Sequence, residues 1–586
     1  MSGESLTFNS WAQPNEKASS IVMKYQSWQG FRQENAASWS EIDAYRFATD
    51  TTSLPNDASA FDHTTHIPVI GEIHDDLEAI LYSTILPHND WLGWKPFDSE
   101  AATEDKRKKA LSYIKNRHSL NGFRQSVREL IDDYIAYGNA FCQVVHCDET
   151  YQSEDGIAVG YIGPKLYRIS PYEIVFNPTA KTFKSSPKII REVVSIGEFI
   201  KRSRTESNQY NKSTVDKVVE RRGTYHLVDM VEQNENTQYV PDGFNSIESY
   251  MESGEVEILW FYGDVYDEES GELHEKRCVG VVDRFNVLFD FECANPRIHH
   301  VGWNVKPDNL WAQSPLARIV GLNYQINHRE NAKSDAIDKY IYPDRLYVGD
   351  VDEVYDDETG QTKYIAGEGG SVTDIAPDTT VLTFDSHIDR LTAQSRSAAR
   401  LPPQLAGFRT PGEKTLGEVQ SLNDGAFRGF IHKAEHFELE LLEPVISDEI
   451  EIGRTFLSNA LEVDSQDEDG LSFLSITPQD LRSNGKLVPY GARRFARDLQ
   501  QFNTLNLIGN NNLIQLMGQH INSYNFSKTI ERLGGFEDYE FVEKFAAIDE
   551  QAEMQVKASN AERVVQSQVS QASLEEERLN AELGNV

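Results

Sequence analysis

Apolar side chains recur at helical steps in the first third of the chain, give way to strand-like runs in the middle, and return to helical steps beyond residue 314. From Asp75 to Leu86, Leu77, Ile80, Leu81 and Ile85 fall on one face, with Asp75 and Asp76 at the start and Pro87 just past the end. Lys106 to Tyr137 repeats the pattern through Leu111, Ile114, Phe123, Val127, Leu130, Ile131 and Ile135. Asn121-Gly122 is expected to divide this stretch into two helices, the second stopping at Gly138-Asn139. Strand-like segments then occupy 140–146, 157–176, 255–266 and 277–291, the last two joined through an acidic hairpin tip at 267–272. Residues 1–60 are polar with scattered aromatics (Trp11, Trp28, Trp39), and are expected to form a loosely structured arm with short helices.

A long helix is expected from Ser314-Pro315, suited to an N-cap and first turn, to Ile341. At 1.5 Å per residue it would span about 40 Å. Its middle, Asn323 to Asn331, is too polar for a globular core, so the helix is expected to cross solvent or to pack against copies of itself. A β-like insert rich in glycine and acid follows at 343–385, then a helix over 386–400 and a break at Pro402-Pro403. Helical sequence from Thr415 to Leu457, with a kink or break at Pro444, leads to a short β return at 471–490 and helical stretches over 491–535 and 541–583. The fold class is α+β.

With 586 residues the chain is too long for one core, and 39% apolar content excludes wholesale disorder. Apolar runs are far short of a membrane span, and the opening segment carries no signal-peptide pattern. Four cysteines are too few for a disulfide framework, so a reducing cytosol is the expected birthplace. Fifty-six Lys and Arg against 93 Asp and Glu leave a net charge of −37. That charge disfavours tight DNA binding but suits a protein past which DNA must slide. Charge is also uneven. Residues 346–388 hold ten acids and one base, whereas 389–419 hold five bases (Arg390, Arg396, Arg400, Arg409, Lys414) and three acids.

Enzyme motifs fail on inspection. Gly407 to Thr415 misses a phosphate-binding loop by one residue, placing Glu413 among the amides and Pro411 where a donor is needed. His432-Lys433-Ala434-Glu435-His436 matches the H-x-x-E-H metalloprotease string, but no third zinc ligand can be pointed to in sequence. Asp464 to Gly470 lacks the glutamate a calcium loop requires at its last position. Cys142 and Cys147 read as buried thiols. No enzyme activity, catalytic residue, metal or cofactor is expected.

The order of these parts, with Tyr137-Gly138-Asn139-Ala140-Phe141, Ile169-Ser170-Pro171 and the Gly407–Thr415 string, resembles portal proteins of tailed bacteriophages, most of all head-to-tail connectors of podovirus type. The resemblance covers nearly the whole chain. It implies a twelve-subunit ring in the virion at the head-tail junction, assembled in the host cytoplasm, through which double-stranded DNA is packaged and ejected. Implied partners are the terminase large subunit, tail adaptor proteins, the major capsid protein and DNA bound without sequence preference, with no membrane. Mapped onto this chain, it implies an arm (1–60), wing (61–306), stem helix (307–341), clip (342–385), second stem helix (386–400), tunnel loop (401–416), wing helix and β return (417–500) and helical crown (501–586). The long N-terminal arm departs from the family pattern.

Channel candidates are then Arg396, Arg400, Arg409 and Lys414, with Arg329 and Lys333 on the stem; ordinary ion pairing is the competing role for each. Clip candidates for partner docking are Asp350, Asp352, Asp356, Asp357 and Glu358. The alternatives are an acidic capsid assembly or scaffolding protein that never touches DNA, and a zinc metalloprotease built on His432, Glu435 and His436.

Overall fold

Helix α1, Glu16–Phe47, runs 32 residues without a proline, and its N-cap Asn15 accepts a hydrogen bond from the Lys17 amide at 2.9 Å. It is the spine of a computed structural model describing residues 15–55, 61–87, 91–97, 104–153, 156–205, 210–221, 254–267, 271–356, 361–375, 383–399, 401, 429–457, 460–467, 470–482 and 485–492. The loosely structured arm expected over 1–60 is therefore corrected from residue 16 onward. Polar residues separate the apolar ones along α1, which hid its buried face. Ala18, Ile21 and Tyr25 enter one buried cluster, Trp39 a second, and Ile42 and Tyr45 a third. Even Arg32 is buried on this face, donating to the Tyr172 carbonyl.

Helix α2 spans Val69–Ile85, beginning six residues before the expected start at Asp75. Strand β1 (Leu92–Pro96) precedes α3 (Glu104–Leu120) and α4 (Phe123–Ala136). The expected split at Asn121-Gly122 is present: Gly122 takes φ 71° and Asn121 Oδ1 accepts from the Phe123 amide at 2.9 Å. Gly138, at φ 72°, follows the end of α4; a Cβ there would lie 2.4 Å from the Ser314 amide nitrogen, so only glycine fits.

Two antiparallel sheets follow. β2 (Asn139–Ser153) pairs with β3 (Gly156–Ile169) and with β9 (Ile298–Gly302), giving the order β3-β2-β9. β4 (Ile174–Phe176), β5 (Lys188–Ser195), β6 (Glu255–Asp267), β7 (Glu272–Val282) and β8 (Asn286–Glu292) form a five-stranded meander in sequence order. α5 (Ile196–Thr205) and α6 (Lys212–Arg221) pack beside it. The meander buries both faces: Val256, Ile258 and Tyr262 enter the second cluster, Leu259 and Phe261 the first, with Ala18, Ile21 and Tyr25 of the N-terminal half of α1. Double burial explains why β6 reads as a near-continuous apolar run. A short hairpin of β10 (Asn304–Lys306) and β11 (Asn309–Gln313) leads out.

Next come α7 (Val320–Ile341), strands β12 (Asp344–Val348), β13 (Val351–Asp356), β14 (Gln361–Ala366) and β15 (Ser371–Ile375), and α8 (Phe384–Ala398). Residues 429–442 are helical, with a π segment at Glu438–Leu442 that passes into α9 (Glu443–Phe456). The irregularity expected at Pro444 thus takes the form of a π-bulge just before it, which accommodates the missing amide. β16 (Leu461–Asp467) and β17 (Gly470–Ile476) form an antiparallel pair. β18 (Gly485–Pro489) returns to pair with β1. The class is α+β, as expected. The tunnel loop beyond residue 401 and the crown, 501–586, lie outside the described residues.

Candidate functional site

Helix α7 carries Asn323, Asn327, Asn331 and Asp335 at intervals of four, so all four share one face. Against that face lies the extended strap of residues 61–68, running antiparallel to the helix. Asn323 Oδ1 accepts from the Ile70 amide (3.1 Å), Asn327 Oδ1 from Ile67 (3.0 Å), and Asn331 Oδ1 from Thr65 (2.9 Å). Asp335 takes the amides of Asp62 and His63 with one oxygen each, both at 3.0 Å. Asn323 Nδ2 donates back to the Ile67 carbonyl (3.1 Å) and Asn327 Nδ2 to His66 Nδ1 (2.9 Å). The three asparagines are fully buried.

This ladder corrects the expectation that the polar middle of the helix needs copies of itself or a wet channel. Its amides take the place of a partner strand for a segment of chain about 260 residues away in sequence. Sequence reading missed it, although the fourfold spacing was there to be read.

At the far end of the ladder, His63 Nδ1 lies 2.7 Å from Asp335 Oδ1, and its other ring nitrogen lies 3.4 Å from Asp338. The hydrogen bond to Asp335 raises the His63 pKa above its usual value. Burial pushes Asp335 up, but His63 and the two strap amides outweigh it and hold the carboxyl below its ordinary range.

Helix α8 packs along α7. Lys333 bridges them, donating to Glu330 at 2.9 Å and to Asp385 at 2.8 Å, and the Asp385 hydrogen bond raises its pKa. Arg396, near the end of α8, donates to Glu72 of α2 at 3.1 Å and is 13% exposed. The stem candidate Lys333 and the channel candidate Arg396 are thus engaged in ion pairs within the chain. Arg329 is half-buried, with Nη1 enclosed and without a hydrogen-bond partner among the described residues. Arg400, Arg409 and Lys414 lie outside the described residues.

Between the helices, β12–β15 form one interrupted ribbon. β12 pairs with β15 from Asp344↔Ile375 to Val348↔Ser371, and β13 with β14 from Val351↔Ala366 to Asp356↔Gln361. The interruption sits at Gly349 (φ 83°) and Gly369 (φ 85°), where a Cβ on neighbouring Gly370 would fall 1.9 Å from the Asp350 carbonyl oxygen. Among the described residues of the ribbon, none enters the three buried clusters. Tyr342, Leu346, Val348, Ile365 and Ile375 are at least half exposed. Asp350 and Asp352 are exposed too, Asp356 ends β13, and Asp357 and Glu358 lie outside the described residues. The β-like insert expected over 343–385 takes the form of a two-stranded arm.

The H-x-x-E-H string lies on the helical stretch before α9, with His432 exposed and His436 half-buried, its pKa lowered by burial. Among the described residues no third ligand joins them at coordinating distance. Cys142 is buried, and burial raises its thiol pKa; all four cysteines are free.

The sequence matches no protein-family model and no curated protein.

Proposed function

We propose that this chain is the subunit of a phage portal ring, a structural channel for double-stranded DNA and not an enzyme. The observation that carries the reading is the excursion α7–ribbon–α8: a long helix, an acidic two-stranded arm outside every core, and a helix packed back along the first. That order is the stem–clip–stem order the sequence resemblance implies. An isolated two-stranded ribbon is marginal in water. One that exposes Leu346, Val348, Ile365 and Ile375 is suited to completion by neighbouring subunits. In a closed ring every copy supplies the same surface to the next, so no edge is left unpaired.

The acidic character fits the same reading. With a net charge of −37, the chain has little to grip a passing phosphate backbone. The locally basic stretch around 389–419 is where DNA would be held transiently. Arg396 is already committed to Glu72, so that role passes to Arg400, Arg409 and Lys414. The acidic arm is the docking surface for the packaging motor and then the tail adaptors.

Negative-stain imaging with mass measurement of the purified full chain tests this. The expected result is a closed ring of about twelve subunits with a central hole. A monodisperse monomer, or an assembly without a hole, would sink the portal reading and favour a scaffolding role.

A further inference from the structure

Away from the stem, helix α2 presents His74 and Glu78 four residues apart on one face, and α4 brings Asp132 opposite them. One ligand atom from each of these three lies within 4.8 Å of the other two. His74 is 1% exposed, and its buried Nε2 faces Asp132 Oδ1 at 3.0 Å. A buried imidazole nitrogen facing a carboxylate in this way is suited to a shared third body. Two donors bound to one ion at about 2.1 Å sit roughly 3.0–3.4 Å apart.

The surroundings support such an ion. His74 Nδ1 lies 3.4 Å from Asp75 Oδ1, the outer carboxylate that orients a metal-bound histidine. Arg46 Nη2 lies equally far from Nδ1. The two contacts oppose each other, since Arg46 needs Nδ1 as an acceptor and Asp75 needs it as a donor; an ion on Nε2 selects the second. Arg46 engages Asp132 through Oδ1 at 2.9 Å, the same oxygen that faces His74 Nε2, and Arg128 engages Glu78 through Oε1 at 2.6 Å, so an ion would share these carboxylates with the two guanidinium groups. Arg46 also lies 3.6 Å from Asp43. Three carboxylates (Asp75, Glu78, Asp132) therefore lie about His74 against two guanidinium groups, and Arg46 is shared with Asp43, so the cluster is net negative. One imidazole with two carboxylates is a borderline donor set, better matched to zinc-class transition metals than to calcium or magnesium.

We propose that His74, Glu78 and Asp132 bind one divalent transition-metal ion, with water completing its coordination, and that the ion fastens α2 to α4. The proposal stands whether or not the chain forms a portal ring. To test it, the full-length protein is stripped with a chelator and titrated with Co²⁺ as a spectroscopic probe, then with Zn²⁺ in competition. Expected are one equivalent bound, visible ligand-field bands that Zn²⁺ abolishes, and a thermal midpoint that climbs with Zn²⁺ concentration. Glu78→Gln, a change at the rim of the site, should weaken binding at least tenfold with an unchanged circular dichroism spectrum. His74→Gln should remove the bands, and Asp132→Asn provides a second reading should that buried variant fail to fold. Absence of Co²⁺ bands in the wild type, or wild-type affinity in both Glu78→Gln and Asp132→Asn, would overturn the site.

Discussion

The sheet-bearing body and the α7–ribbon–α8 excursion solve the same problem, how to satisfy a chain of moderate hydropathy, in opposite ways. In the body, apolar side chains from distant segments complete one another: Trp39 of α1 meets Tyr137, Tyr172 and Trp311 at ring distances of 5.7, 5.3 and 5.5 Å. In the excursion, α7 buries Val320 and Ile326 but meets the strap through a ladder of amide hydrogen bonds, and among the described residues the ribbon is held by little besides its own pairing. A body of the first kind is stable alone. A segment of the second kind keeps its surface for others, and its stability depends on specific polar partners.

The largest effect expected from breaking this comparison lies in the body. Trp39→Ala removes a 2%-exposed ring from the joint between α1 and the second buried cluster. It should cost about 3–5 kcal/mol, read from the denaturant midpoint. A loss under 1 kcal/mol would show that α1 is an appendage rather than a spine.

Next comes the ladder. Asn327→Leu keeps the volume but removes the acceptor of the Ile67 amide and the hydrogen bond from Asn327 Nδ2 to His66. About 2–3 kcal/mol should be lost, because buried polar groups without partners carry their full desolvation cost. The equivalent change at an exposed position of α7, Gln325→Leu, is expected to be neutral within about 0.5 kcal/mol. Equal effects at both positions would mean that the ladder contributes nothing specific.

Acidity separates the regions by sign. His300 of β9 stacks on Phe141 at 4.5 Å, and burial pushes its pKa down to about 3. The unfolded chain binds that proton more readily, so stability is lost as pH falls below about 6.5, on the order of 1 kcal/mol by pH 5.5. His300→Phe should flatten this slope; Asn139 Oδ1 keeps the Ala312 amide at 2.9 Å in compensation. His63 behaves oppositely. Its pKa is raised by Asp335, so its contribution is fully present below the unfolded value and fades as pH rises through the folded one. His63→Asn should therefore lower the thermal midpoint at pH 5.5 more than at pH 8. A midpoint loss independent of pH would sever the histidine from the strap.

Much of this architecture was legible from sequence where local rules decide it. Gly122 and Gly138 ended helices because both need positive φ, and Ser314 capped the turn before α7, accepting the Leu316 amide at 3.0 Å. What escaped depended on distant partners. α1 looked like an arm because its buried stripe includes Gln29 and Arg32, whose burial makes sense only beside the meander. The ladder looked like an intersubunit surface because the strap that satisfies it lies some 260 residues earlier. Of the site candidates, Arg396 came from a charge count and Lys333 from its place on the expected stem helix, and neither criterion can tell a free cation from one already paired.

The smallest effect on the chain itself, and the sharpest test of the comparison, belongs to the ribbon. Leu346, Val348 and Ile365 are 50%, 53% and 58% exposed and touch none of the buried clusters. Changing all three to Thr preserves β-branching or strand preference while removing apolar surface. Within one subunit little is lost, so the unfolding free energy measured under dissociating conditions should move by less than about 0.5 kcal/mol. Assembly should respond differently. Each copy in a ring would bury these side chains against its neighbour, so their loss recurs at every interface around the circle. Mass measurement should then find subunits or open fragments where the wild type forms closed rings. Unfolding of the triple variant would show that the ribbon belongs to the body after all. Intact rings would move the subunit contact elsewhere and leave the apolar side chains of the arm to a different partner.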